Sequence, residues 1–530
     1  MVLPSFASIS ALIGSVDAAY PEFPYPNSNY DERYRGQYHF SSKGGWMNDI
    51  NGLWYDAGVY HLTYQHYPHS LEWNTMHWGH ATSTDLVHWV QQPIMLEPDD
   101  NVPGDCWSGS VVVDVNNTSG LKTGANNVYV AIYTATKKGT CLAYSNDKGA
   151  TWQSYSGNPV KPGNEDPRDP KVFWHTPTSK WVMLLYENDG TTFYTSTNLK
   201  TWTYVSSFAW GYECPDFYVL AIDDGATKKW VLNDASGNYY IGTFNGTKFT
   251  PDAGGPWLMD VGPDFYAPQT YYRPTFPDTR VVQIAWLDNW EGDLNTSPWR
   301  KDATFPCELK LKTFTEGVRL TRYPLAEISS LYGSSQQWQT QTLSSGQNLL
   351  SGIASKCYDL SAEFDLTGAT ATQITFTLAN KTVAYNITSK QLLGKSLAPI
   401  NNRVKIRILG DWSQLEVFGN EGRFSWSENF GFTPFATNLG LTANGNVTLV
   451  SMSFNQVKRI WDGATATKRT PVASNTTPSK PVSARVFDAR GRLVSTVGIN
   501  NDGCHLPTGV LVMKLSNGRH VVRTKIPAVK

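Results

Sequence analysis

The chain has 530 residues and a formal net charge of −1, so its length implies two to four domains and no overall field draws it to nucleic acid. No apolar run approaches the ~20 residues a helix needs to cross a membrane. With 20 Trp, 27 Tyr, 43 Gly and 30 Pro, the composition favours an all-β protein with many turns, and planar aromatics suit the faces of sugars.

Residues 1–34 are expected to hold a signal segment and an N-terminal extension. Met1–Ala19 is weakly apolar and ends in Val16-Asp17-Ala18-Ala19, a small-residue cleavage pattern, although a basic n-region is missing. The expectation is a secreted protein, with the Pro-, Tyr- and Asn-rich residues 20–34 wrapping over its surface. Next comes Gly45-Trp46-Met47-Asn48-Asp49-Ile50-Asn51-Gly52, in which one carboxylate lies among amides, an indole and flanking glycines. Residues 53–65 read as two strands turning at Asp56-Ala57-Gly58, which places Asp49 where a loop enters a hairpin. Such a position either aims a side chain at a ligand or makes an Asx-turn.

A loose repeat follows. The stretches 82–89, 145–152 and 195–202 are polar turns, rich in Asp or Asn, that close on Trp89, Trp152 and Trp202, and 244–249 is a degenerate copy closing on Phe249. Their spacings of 63, 50 and 47 residues fit the period of a four-stranded propeller blade with inserted loops. The alternative is a β-sandwich whose hairpin turns happen to look alike. We assign residues 35–332 to a propeller, with a Ser/Gln/Gly/Thr linker at 330–345. Residues 345–462 alternate as a β-sandwich, 463–482 form a Thr/Ser/Pro linker, and 483–530 form a small β-appendage. Parts of that appendage loosely resemble C-terminal sorting modules of secreted bacterial enzymes.

A propeller gathers residues from several blades at one mouth of its channel, so isolated carboxylates in polar-aromatic surroundings are the candidates for chemistry. Beside Asp49, Asp169 lies in Arg168-Asp169-Pro170, where the adjacent guanidinium should keep it ionised. Glu213 lies in Tyr212-Glu213-Cys214-Pro215, flanks expected to desolvate it. Paired carboxylates are what glycoside cleavage needs, although each taken singly also has a structural reading. Six scattered cysteines form no C-x-x-C pair and allow one or two disulfides at most. His66, His69, His77, His80 and His88 crowd one region without an H-E-x-x-H helix, which disfavours a zinc centre. Trp107-Ser108-Gly109-Ser110 is not a G-x-S-x-G elbow, and no glycine-rich phosphate loop opens a helix.

Taken in order, the blocks at 45–52, 107–110, 168–170 and 213–215 resemble the signatures of glycoside hydrolase family 32, the invertases, levanases, inulinases and fructosyltransferases. Residues 64–68, 76–81 and 262–267 match further family blocks, and the likeness runs from about Tyr38 to Trp461. The resemblance implies an all-β fold, a five-bladed β-propeller followed by a β-sandwich. It implies Asp49 as nucleophile, Glu213 as general acid/base and Asp169 as transition-state stabiliser. Trp46, Asn48, Gln65, Trp73, Trp107, Ser108, Arg168 and Trp299 would line the fructosyl pocket. The implied enzyme is a retaining β-fructofuranosidase acting at the non-reducing end of sucrose, inulin or levan, with no metal or organic cofactor. Fructosyl transfer and a fructan-binding protein without activity are the alternatives. Three positions depart from the pattern: Ile50 replaces a usual proline, Cys307 a usual arginine expected to touch the pocket, and Asn74 a usual glycine.

Overall fold

Five antiparallel sheets follow one another along the chain, each built as a meander from the centre outward. The computed structural model describes residues 28–98, 104–164, 166–272, 280–287, 296–429 and 437–461, together with the backbone of four strands between 483 and 524. The expected signal segment and the 463–482 linker lie outside the described residues.

The inner strands of the five sheets are Gly45–Asp56, Cys106–Asp114, Arg168–His175, Asp216–Ala221 and Phe265–Thr270. The first of them packs against the second and the fifth, and the second against the third, as the hubs of propeller blades do. A short strand inserted in the fifth blade, Trp299–Arg300, pairs in parallel with Gly45–Trp46 and ties the last blade to the first.

The sequence repeat has a structural cause. In the first four blades the polar turn joins the third strand to the fourth. Asp85 accepts the N–H groups of Val87 and His88, Asp147 that of Thr151, Asn198 those of Lys200 and Thr201, and Asn245 those of Thr247 and Lys248. A short acceptor is needed there to satisfy the turn's donors, and the aromatic that follows starts the outer strand. The fifth blade makes the same connection with a tight turn at Thr315-Glu316, which explains why the repeat stops at four. The first hairpin turns at Ala57 and Gly58, both at positive φ (50° and 88°), the geometry a two-residue turn demands.

The β-sandwich packs a sheet containing Tyr358–Asp365, Arg403–Gly410 and Val447–Val457 against a second containing Gln373–Leu378 and Leu439–Ala443. Their inward residues, among them Leu360, Phe364, Ile406, Phe376 and Leu441, form one buried core. The expected linker at 330–345 is instead an edge of this sandwich. Tyr332–Trp338 and Gln341–Leu343 both pair with Val447–Val457, and the first is solvent-exposed along most of its length, so it carries no apolar alternation. The sandwich therefore starts at Tyr332.

Residues 35–42 are wholly buried. The backbone N–H groups of Gln37, Tyr38 and His39 all donate to Asp411, within a seam of buried charge. There His39 bridges Asp411 and Glu416 at 3.0 Å each, and Arg322 reaches Glu416 (3.2 Å) and Asp260 (3.5 Å). Cys307 lies in this seam, fully buried and beside Arg322, rather than in the pocket where the family pattern had placed its counterpart. The five described cysteines are all free thiols. The C-terminal segment is described by itself as an antiparallel sheet in the order Leu493–Gly498, Ser483–Phe487, Leu511–Leu515, Val521–Thr524.

Candidate active site

Four of the five inner strands slip register near the same end: between Met47 and Ile50, Trp107 and Gly109, Arg168 and Lys171, and Tyr266 and Gln269. The residues left unpaired are Asn48-Asp49, Ser108, Asp169-Pro170 and Ala267-Pro268. A bulge bends its strand and re-aims a side chain, and Pro170 and Pro268 have no N–H to give to the ladder. In the fourth blade the strand begins only after Glu213-Cys214-Pro215. Asp49 is thus set within a strand, on a bulge, and not in the loop before the hairpin as its surroundings had suggested. Ile50 does not loosen it: the side chain is fully buried and the residue pairs with Tyr64.

Asp169, Glu213, Cys214 and Ala267 all have positive φ (59°, 53°, 39° and 47°). For non-glycine residues such conformations cost on the order of 1–3 kcal/mol each, and they persist only where neighbours hold them. They cluster at one pocket, lined by Asn48, Asp49, Gln65, Trp73, Trp107, Ser108, Arg168, Asp169, Glu213 and Tyr266, which encloses about 530 Å³ with its mouth.

Ser108 Oγ donates to Asp49 Oδ2 (2.8 Å) and Asn48 Nδ2 to Asp49 Oδ1 (3.2 Å). Burial holds the Asp49 carboxyl above the ordinary carboxylate range. The Ser108 hydroxyl offsets part of this, and the charge of Glu213 adds to it. Cys214 bridges the two aspartates, its N–H donating to Asp169 Oδ2 (3.0 Å) and its Sγ lying 3.4 Å from Asp49 Oδ2. Arg168 Nη2 pairs with Glu213 Oε1 (3.0 Å), and the Tyr266 hydroxyl donates to Glu213 Oε2 (2.7 Å).

Two expectations about environment are overturned. Arg168 does not hold Asp169 low: its Nε is 3.9 Å away, while its Nη2 serves Glu213 and its Nη1 the carbonyl of Asp166. Burial, with the charges of Asp49 and Glu213, pushes Asp169 up to about 7 against Arg168 and the Cys214 N–H. Nor do the flanks of Glu213 enclose it. Tyr212 is 51 % exposed and Cys214 turns toward Asp49, so a cation and a phenol hold this carboxylate instead.

Nine of the eleven residues expected at the site line the pocket. Trp46 and Trp299 do not. Trp46 is buried behind it and donates from Nε1 to Asn48 Oδ1 (2.8 Å), so it orients a lining residue rather than walling the cavity. Trp299 is fully buried with the Arg35 guanidinium 3.8 Å from its ring centre, because its strand serves to close the propeller. Trp73 and Trp107 do form a wall, their rings 6.4 Å apart and tilted by 61°. Sequence reasoning missed Tyr266 as a site residue, although its block at 262–267 stood out. It also missed the double bridge of Cys214, which no sequence signal announces. Of the histidines, His66 and His77 bond to the carbonyls of Trp46 and Thr75, the rings of His69 and His77 lie 6.2 Å apart, and His61 pairs with His80 on the face of Trp54.

The model of the glycosyl hydrolases family 32 N-terminal domain matches residues 39–324, and that of the family's C-terminal domain matches residues 327–456. The chain belongs to glycosyl hydrolase family 32. It is therefore a glycoside hydrolase whose N-terminal domain is a five-bladed propeller and whose C-terminal domain is a β-sandwich. Within this family it is 39 % identical to a levanase of Bacillus subtilis, over 90 % of this chain and 76 % of that one. It is 32 % identical to an extracellular exo-inulinase of Aspergillus niger, over 82 % and 96 %. The crystal structure of the exo-inulinase of Aspergillus awamori superposes with a TM-score of 0.74 at 30 % identity, covering 82 % of this chain and all (100 %) of that one.

Proposed function

We propose that this family 32 enzyme is a secreted, retaining β-fructofuranosidase that releases fructose from the non-reducing ends of sucrose and fructans such as inulin and levan. The observation that carries this reading is the meeting of Asp49, Asp169 and Glu213 from three blades in one open pocket, with a single guanidinium among them. Glycoside cleavage needs one carboxylate at the anomeric carbon and a second at the leaving oxygen.

Asp49 is the nucleophile. Its carboxylate attacks C2 of the fructosyl unit while Glu213 gives its proton to the departing oxygen, and the C2–O bond breaks. Water, deprotonated by Glu213, then attacks C2 and frees Asp49, so two inversions retain configuration. Such a mechanism requires the two carboxyl groups about 5–5.5 Å apart in the substrate complex. Contact between Cys214 and Asp49 favours that closeness, because Cys214 is the chain neighbour of Glu213. Asp169, with a pKa near 7, holds sugar hydroxyls as donor or acceptor and stabilises the transition state. Trp73 and Trp107 face the ring's apolar side. The names of the levanase and exo-inulinase relatives support fructan substrates, and "extracellular" in the name of the second supports secretion.

The test is fructose release from sucrose, inulin and levan, with the anomer formed first read by NMR. β-Fructofuranose as the initial product is expected. Initial α-anomer, or no release from any of the three, rejects the proposal.

A further inference from the structure

Directly behind the pocket lies a buried polar cluster that the chemistry above does not use. Lys171 Nζ sits 2.8 Å from Asp216 Oδ1 and donates to the Thr270 carbonyl (2.9 Å) and to Gln269 Oε1 (3.1 Å). From its other end, Gln269 Nε2 donates to the carbonyl of Cys214 (3.2 Å). Lys171 is two residues beyond Asp169 on the third inner strand, Asp216 two beyond Cys214 on the fourth, and Gln269 three beyond Tyr266 on the fifth. Each member therefore shares its strand, or the turn leading into it, with a residue of the pocket.

We infer that Gln269, oriented by Lys171, is a positioning residue that holds the Glu213–Cys214 turn in its catalytic shape; this rests on the roles proposed for Asp49 and Glu213. An amide can face either way, and its partners decide which. An ammonium group only donates, so the atom facing Lys171 is the oxygen, and Nε2 is left for Cys214. The turn needs such a hold, since Glu213 and Cys214 are consecutive non-glycine residues at positive φ. Two of its other restraints, the Cys214 N–H on Asp169 and the thiol near Asp49, end on carboxylates whose charge and contacts change as the sugar binds and reacts. The bond from Gln269, like that from the Ala235 N–H to the Glu213 carbonyl (3.1 Å), is independent of that cycle. Lys171 is itself fixed by the buried Asp216, so the hold is anchored in three blades at once.

Gln269→Glu tests this with almost no change in volume. The oxygen facing Lys171 is kept, and the N–H facing Cys214 becomes a second oxygen that the carbonyl repels. We expect kcat on sucrose to fall about 30- to 100-fold, the scale of an ångström of misplacement, with KM within about threefold and the thermal midpoint close to that of the wild type. Cys214 should also react faster with N-ethylmaleimide, by about tenfold, as read by peptide mapping of the native protein without substrate. Gln269→Met, which removes the amide with no added charge, should show the same pattern. Wild-type kcat together with wild-type Cys214 labelling in either folded variant overturns the inference. So does a loss of kcat matched by a collapsed melting midpoint in both, which would make Gln269 a packing residue. Because the labelling needs no substrate, it fails separately from the proposed hydrolysis, which the wild-type enzyme reports on sucrose.

Discussion

The pocket and the buried seam around His39 use the same materials in opposite proportion. In the seam, Asp411, Glu416 and Asp260 face His39 and Arg322, and Asp260 also accepts the hydroxyls of Ser425 and Ser427. Burial, the largest single influence, would raise the seam's acids, yet the bonds and charge of His39 together with backbone N–H groups, and at Glu416 the charge of Arg322, hold Asp411 and Glu416 below the ordinary carboxylate range. Burial likewise opposes the charge on His39, and the same two acids lift it to about 9. In the pocket three carboxylates share one arginine, and burial with mutual repulsion raises Asp49 and Asp169. Satisfied charge makes a lock; charge left short of partners makes reactive groups.

Removing the reactive groups should give the largest effects. Asp49→Ala is expected to lower kcat on sucrose by ~10⁴-fold or more. Glu213→Ala should cost ~10²–10⁴-fold, but with an activated leaving group it should keep a fructosylation burst that Asp49→Ala lacks. Equal bursts in stopped-flow traces would contradict the division of roles.

Arg322→Met attacks the lock instead. It strands Asp260 without its cation and leaves Glu416 with His39 alone, and breaking a buried pair typically costs about 3–5 kcal/mol. Urea denaturation should show that loss, while kcat measured well below the melting midpoint stays near wild type. A pocket variant's loss of activity without loss of stability is the mirror image.

Asp169→Asn joins both halves of the comparison. The carboxyl is raised from 3.8 to about 7 in the fold, so its contribution to stability is full below about pH 4 and is lost as pH rises through about 7. The variant should melt several degrees higher than wild type at pH 8.5, and no higher at pH 4, while losing most of its activity. For His39, raised from 6.5 to about 9, the contribution is full below about pH 6.5 and disappears as pH climbs past 9. Calorimetry between pH 7 and 10 should show a fall in midpoint that His39→Gln flattens.

The smallest effect is expected from deleting residues 483–530, which lie beyond the family match. Hydrolysis of sucrose should be unchanged within about twofold; a large loss of kcat in the folded enzyme would make the segment part of the catalytic unit.

What could be read from the sequence follows the same division. Asp49, Asp169 and Glu213 stood out because isolated carboxylates beside Pro, Gly and aromatics are poor strand residues, and poor strand residues mark bulges. The blades were legible because each polar turn needs a short acceptor at the same place. Trp46 and Trp299 misled because an indole near a motif looks the same whether it faces a sugar or the core. The link from Arg168 to Glu213 and the double reach of Cys214 join residues 45 and 165 positions apart in the chain. No local pattern encodes such a meeting. The edge strand at Tyr332–Trp338 reads as a linker for a related reason: exposed along most of its length, it has no alternation to show.

The parallel pairing of Trp299–Arg300 with Gly45–Trp46 also sets an order of events during synthesis. The strand that carries Asp49 leaves the ribosome before the other blades, yet one of its edges gains its partners only when Tyr272 and then Trp299–Arg300 have emerged. Residues 37–39 wait longer still, because their amide hydrogens are bound by Asp411. Contacts so distant in sequence form late and slowly. A nascent chain stopped in the fourth blade therefore already holds every acid of the site, on a ring that has not yet closed around them.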